Sequence, residues 1–148
     1  MKALLVLLVL VSFSCSSQQA NSKMDNVSTP IIETFFTRIA KGEHGNAITD
    51  LMSGNPYINL NDSSVIDLKS KFEMIHSFVG AFKSKSILKK RTLNESVSAY
   101  SYLVKYEKKF YRFFFMFYNN DNKTVIYKFS FDDNLDVELE ESLKQYVL

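Results

Sequence analysis

The chain carries one cysteine, Cys15, and two histidines, His44 and His76, and these are its sharpest reagents. A thiolate is a nucleophile and a soft metal ligand. A lone cysteine, however, closes no intramolecular disulfide, and thiolate zinc sites draw on several Cys or His ligands. His44 sits in Gly42-Glu43-His44-Gly45, where the glycines predict an exposed turn between helices. His76 falls one residue off an apolar stripe that includes Ile75, which predicts a boundary or satisfied core histidine, with a ligand or interface contact as the alternative. Without placed carboxylates the two histidines predict no metal site, and nothing in the chain predicts a cofactor. Tyr100, Tyr102, Tyr106 and Tyr127 lie in strand-like segments, while the acids gather in a turn (Asp132, Asp133) and in the tail (Glu138, Glu140, Glu141). No strand carries a buried Asp that could work with a tyrosine as an acid–base pair.

The elements that would position these groups belong to one folded domain. Hydrophobic residues make up 46% of the 148 and charged residues 23%, which excludes a disordered chain. A formal net charge of +2 gives no electrostatic reason for nucleic-acid binding.

The first residues read as an address. Met1-Lys2 is followed by the apolar run Ala3–Val11, then Ser12-Phe13-Ser14-Cys15 and the polar Ser16-Ser17-Gln18-Gln19. Nine residues span about 14 Å as a helix, too little for a hydrocarbon core of roughly 30 Å. The run ending at Cys15 resembles the lipobox of bacterial lipoproteins, although that family prefers Leu three residues ahead of the cysteine, where this chain has Ser12. The resemblance implies cleavage after residue 14, diacylglyceryl transfer to the Cys15 thiol and acylation of the new amino terminus. It places the protein in the bacterial cell envelope, bound to a membrane through its lipid anchor and facing the periplasm from the outer membrane. Ordinary cleavage would leave a secreted protein with Cys15 free. The expected organisation is a signal peptide over 1–14, lipidated Cys15 with a polar tether over 15–27, and one domain over 28–148.

Within that domain, Ser28-Thr29-Pro30 predicts a helix start, and Ile31, Ile32, Phe35, Phe36 and Ile39 recur at helical spacing up to Gly42. Ala47–Met52 predicts a short second helix. Asp62-Ser63 predicts the cap of a third, with Val65, Leu68, Phe72, Ile75, Phe78, Val79 and Phe82 as its apolar stripe. Four strands follow, over 86–93, 97–106, 110–118 and 124–131. Val125, Tyr127, Phe129 and Phe131 are expected on one side of the last. Leu135, Leu139 and Leu143 suggest a closing helix. The basic cluster Lys83, Lys85, Lys89, Lys90 and Arg91 reads as a solvated edge strand guarded by lysine, or as a contact for anionic headgroups.

Helices first and then an antiparallel meander of about four strands is an α+β layout. With the run Phe78-Val79-Gly80-Ala81-Phe82 before the first strand, it resembles the nuclear transport factor 2-like superfamily, over roughly residues 30–131. The resemblance implies N-terminal helices packed on a curved sheet that forms a cone. Ketosteroid-isomerase-like members use such a cone as an enzyme pocket; the missing strand Asp favours a non-enzymatic binding module instead. The aromatic strands supply the remaining expectations. A sheet face apolar around Tyr111, Phe113, Phe115 and Phe117, or around Phe114 and Met116, would pair with a second copy. A hollow cone would hold a small apolar ligand, with Tyr100, Tyr102, Tyr111, Phe113, Phe115, Tyr127 and His76 as contact candidates.

Overall fold

The computed structural model describes residues 23–93, 96–120, 123–135 and 139–140. The leader, Cys15 and most of the expected closing helix lie outside those residues. Three helices, α1 (Lys23–Ala40), α2 (His44–Ser53) and α3 (Ser63–Val79), precede four strands, β1 (Phe82–Leu93), β2 (Val97–Tyr106), β3 (Phe110–Asn120) and β4 (Lys123–Asp132). The strands form one antiparallel meander in the order β1-β2-β3-β4. The expected α+β arrangement of helices on a four-stranded antiparallel sheet is therefore the one observed. No helix among the described residues is long and apolar enough to cross a membrane.

Helix α1 begins five residues ahead of the expected start at Ser28, so Pro30 lies inside the helix and not in its first turn. A proline there cannot donate to the carbonyl four residues back and crowds it. Burial offsets this cost: Met24, Asp25 and Ser28 are buried, and the Ser28 hydroxyl donates to the Met24 carbonyl at 2.5 Å. Helix α3 starts at the expected cap, Asp62, whose carbonyl accepts from the Val65 and Ile66 amides at 3.0 Å. Its stripe is narrower than expected, because Phe78 is exposed while Phe72, Ile75 and Val79 are buried. Gly80 ends the helix at φ 77° and ψ −162°, a region essentially reserved for glycine.

Strand alternation sends Tyr100, Tyr102, Val104 and Tyr106 of β2 toward the helices, with Phe113, Phe115 and Phe117 of β3 beside them. Tyr100 pairs with Phe115 and Tyr102 with Phe113, which in turn face Phe129 and Phe131 of β4. Phe35, Phe36 and Phe72 descend from the helices onto this sheet face. Their ring centroids lie 5.1–6.2 Å from those of Phe113, Phe115 and Phe129 in the contacts they make, mostly edge-to-face or tilted. The cone is packed with rings at its centre. Tyr100, Tyr102, Phe113 and Phe115, expected as ligand or interface contacts, are core residues here. Tyr111 is half-buried at the edge of the same cluster.

Two irregularities decide which residues face outward. Between Ile87 and Lys89 the β1–β2 register shifts, so Lys85 opposes inward-facing Val104 while Lys89 and Arg91 oppose Ser101 and Ala99 on the other face. Between Met116 and Phe117 the β3–β4 register shifts as well, leaving Tyr127 as the extra residue. Tyr127 is accordingly 66% exposed, Ile126 takes the inward place, and the expected row through Val125, Tyr127, Phe129 and Phe131 is broken.

Candidate functional site

The face of the sheet turned away from the helices carries the largest hollow described, a groove of about 540 Å³. Its floor follows from the strand register. One row across the sheet reads Lys89, Ser101, Phe114, Ser130, and the next reads Arg91, Ala99, Met116, Lys128. Ala99, Ser101 and Ser130 are short, and long side chains stand at both ends of each row except beside Ser130. A trough between raised edges results. Arg112 and Asp132 close one end as a directly opposed pair, joined by Nε–Oδ2 at 3.1 Å and Nη2–Oδ1 at 3.0 Å. Among the described residues, Lys89, Arg91, Arg112 and Lys128 line the trough together with Asp132. Ser101 is only 5% exposed, and its hydroxyl has no hydrogen-bond partner.

The expected basic cluster is thus divided by the bulge in β1. Lys85 pairs with Glu33 of α1, and Lys90 reaches Asp25 at 2.6 Å, both on the helix side, while Lys89 and Arg91 line the groove. Phe114 and Met116, expected on an apolar face, are half-buried among these charges, so the face is mixed in character.

A second, smaller recess of about 290 Å³ lies between α2 and α3, lined by Gly42, Glu43, His44, Gly45, Asn46, Glu73 and His76. His44 opens α2 and is 3% exposed, which corrects the expected exposed turn. Its ring packs at a tilt against His76 at 4.7 Å between centroids and against Phe72 at 5.6 Å. His76 is exposed on α3, as a boundary residue should be. Burial pushes the His44 pKa down and the nearby His76 adds to this, while the backbone hydrogen bond with Gly42 and the charge of Glu73 pull the other way. His44 Nε2 has no hydrogen-bond partner, so no hydroxyl is held against it for activation. Among the described residues no group of three or more His, Cys, Asp or Glu could hold a metal ion.

A third arrangement involves Asp25, which falls in the span whose composition reads as tether and which the structure places in α1. The Tyr100 hydroxyl donates to Asp25 Oδ1 at 2.5 Å and lies 2.7 Å from the Ser28 hydroxyl, while Asp25 Oδ2 accepts from Lys90. A buried acid does meet a strand tyrosine, but from α1, and Lys90 occupies its second oxygen. The signal was available: Asp25, Ser28, Ile32 and Phe35 continue one helical stripe backward past Pro30.

Against solved structures, the chain superposes on a Campylobacter jejuni protein that bears the provisional name NTF2-like transpeptidase, with a TM-score of 0.50. The match covers 68% of this chain and 96% of that one at 13% identity. The fold is nuclear transport factor 2-like. At that identity the likeness of the two chains extends to architecture alone. No protein-family model matches the sequence, and the search of curated proteins gives no match.

Proposed function

We propose that this NTF2-like domain is a non-enzymatic binding module of the bacterial envelope, tethered through lipid on Cys15, which receives its ligand on the open sheet face. The observation that carries this reading is the inversion of filled and hollow space. The interior, where an isomerase of this fold would work, is packed with aromatic rings. The groove lies on the opposite face. The interior Tyr100–Asp25 pair resembles the acid–tyrosine sets of such isomerases in residue type, yet both members are buried and already bonded to protein groups. The neighbour's name suggests acyl transfer, which needs an activated nucleophile. The chain's one thiol is the proposed lipidation site, and the unpartnered His44 nitrogen activates no hydroxyl.

Pairing with a second copy through this face would bring Arg91 and Lys128 toward the same two cations of the other copy, which favours a separate ligand over self-pairing. The chain has no tryptophan, so Phe114→Trp places a single 5-fluorotryptophan label on the groove floor, and Met74→Trp places one on the exposed side of α3. On addition of unlabelled solubilised envelope extract, the fluorine NMR resonance of Trp at 114 should shift while that at 74 stays fixed. An unmoved signal at 114 would remove the sheet face from consideration.

A further inference from the structure

We infer that the sheet-face groove is a site for an organic phosphate, gripped between β1 and β4 and steadied by the Ser101 hydroxyl. The inference rests on the proposed role of this face and adds the chemistry of its occupant. Arg91 and Lys128 stand at opposite ends of one row, separated by Ala99 and Met116. At about 4.8 Å per strand their backbones are roughly 14 Å apart, so two long side chains can lean inward onto one group above Ala99. Lys89 joins them from the neighbouring row. Among the described residues, Asp132 is the carboxylate in the groove and is engaged by Arg112, so Arg91 and Lys128 are left to a ligand.

Ser101 supplies the independent sign of an occupant. Buried hydroxyls are ordinarily hydrogen-bonded, and this one, lining the groove beside Lys89 and Phe114, has no partner. An oxyanion seated above it would accept from the hydroxyl and from the flanking cations together. A phosphate monoester carries close to two negative charges at neutral pH, which suits several cations better than a single carboxylate does. The volume of about 540 Å³ exceeds what inorganic phosphate would fill, and the Phe114 ring offers an apolar surface to the organic body. Such a group could arrive on a free solute or as a lipid headgroup.

The test is a backbone-amide NMR titration of the full chain with glycerol 3-phosphate, and separately with phosphatidic acid, a lipid phosphate monoester, in phosphatidylcholine vesicles. Three proteins are compared: wild type, Arg91→Gln/Lys128→Gln, and the charge-matched control Lys83→Gln/Lys123→Gln, whose changes lie outside the groove lining. Shifts centred on Ala99, Ser101 and Lys128 with the soluble probe, weakened about tenfold or more in the groove variant alone, establish the site with a free solute as source. The same loss seen only with vesicles establishes it with a headgroup as source. Retained amide dispersion in the groove variant shows that the loss is not unfolding. Equal weakening in both variants, shifts mapping elsewhere, or no shifts with either probe would overturn the inference. If Trp at 114 responds to extract while both phosphate probes fail, the face remains a binding surface and only the phosphate assignment falls.

Discussion

Tyr100 ties a strand in the middle of the sheet to the first turns of α1 through one hydroxyl, shared between Asp25 and Ser28. Replacing it with phenylalanine keeps the ring and its edge contact with Phe117 while leaving a buried carboxylate oxygen and a buried hydroxyl short of a partner. A loss of about 1–3 kcal/mol is expected for Tyr100→Phe, read as a lower urea midpoint at unchanged slope. His44 makes a pH-dependent contribution. Its folded-state pKa lies below the ordinary 6.5, so the unfolded chain takes up the proton first as acidity rises. Stability is therefore held above about pH 6.5 and declines as the pH falls through that value toward the folded pKa. Between about pH 7.5 and 5.5 the wild-type melting temperature should drop more than that of His44→Phe, which keeps the packing on Phe72 but cannot charge. Neither site was legible as such. The glycines around His44 are turn formers by type, yet α2 begins at His44 and packs it down. Asp25 lies among Asn, Ser and Lys, whose composition reads as solvated chain.

At the scale of elements, the three helices and four strands were legible from periodicity, because each must bury one face and the spacing of apolar residues records which. The start of α1 and the two bulges were not. Proline is best suited to a first turn, and only the tertiary burial of Met24 and Ser28 carries the helix past Pro30. The structure accordingly predicts that Pro30→Ala, at an exposed position, stabilises the protein by about 1–3 kcal/mol, seen as a raised urea midpoint. A helix beginning at Ser28 would gain nothing from that change, since proline is favourable in its first turn. The bulges at 87–89 and 116–117 leave no mark in the pattern of residue types, because lysine and arginine run through both halves of β1. They nonetheless decide that Lys90 meets Asp25 while Lys89 and Arg91 line the groove. The candidate groove was thus visible as a charge cluster and invisible as a site.

For the whole molecule, rings fill the space between helices and sheet while the groove lies on the outer sheet face, and the proposed binding role rests on that contrast. Its attachment is tested separately by intact mass. Protein recovered from membranes should begin at Cys15 with acyl chains added, and Cys15→Ser should abolish the added mass and move the protein to the soluble fraction. An unmodified mature chain would instead make it a free secreted protein. One consequence of the Asp25–Lys90–Tyr100 arrangement is mechanical. Any tension transmitted along the chain ahead of Lys23 enters the domain at the start of α1, and Asp25 is fastened there to β1 and β2 at once. Such a load meets the bonds of Asp25 to Lys90 of β1 and Tyr100 of β2 before it reaches the later turns of α1. The domain is reinforced at the end from which it would hang.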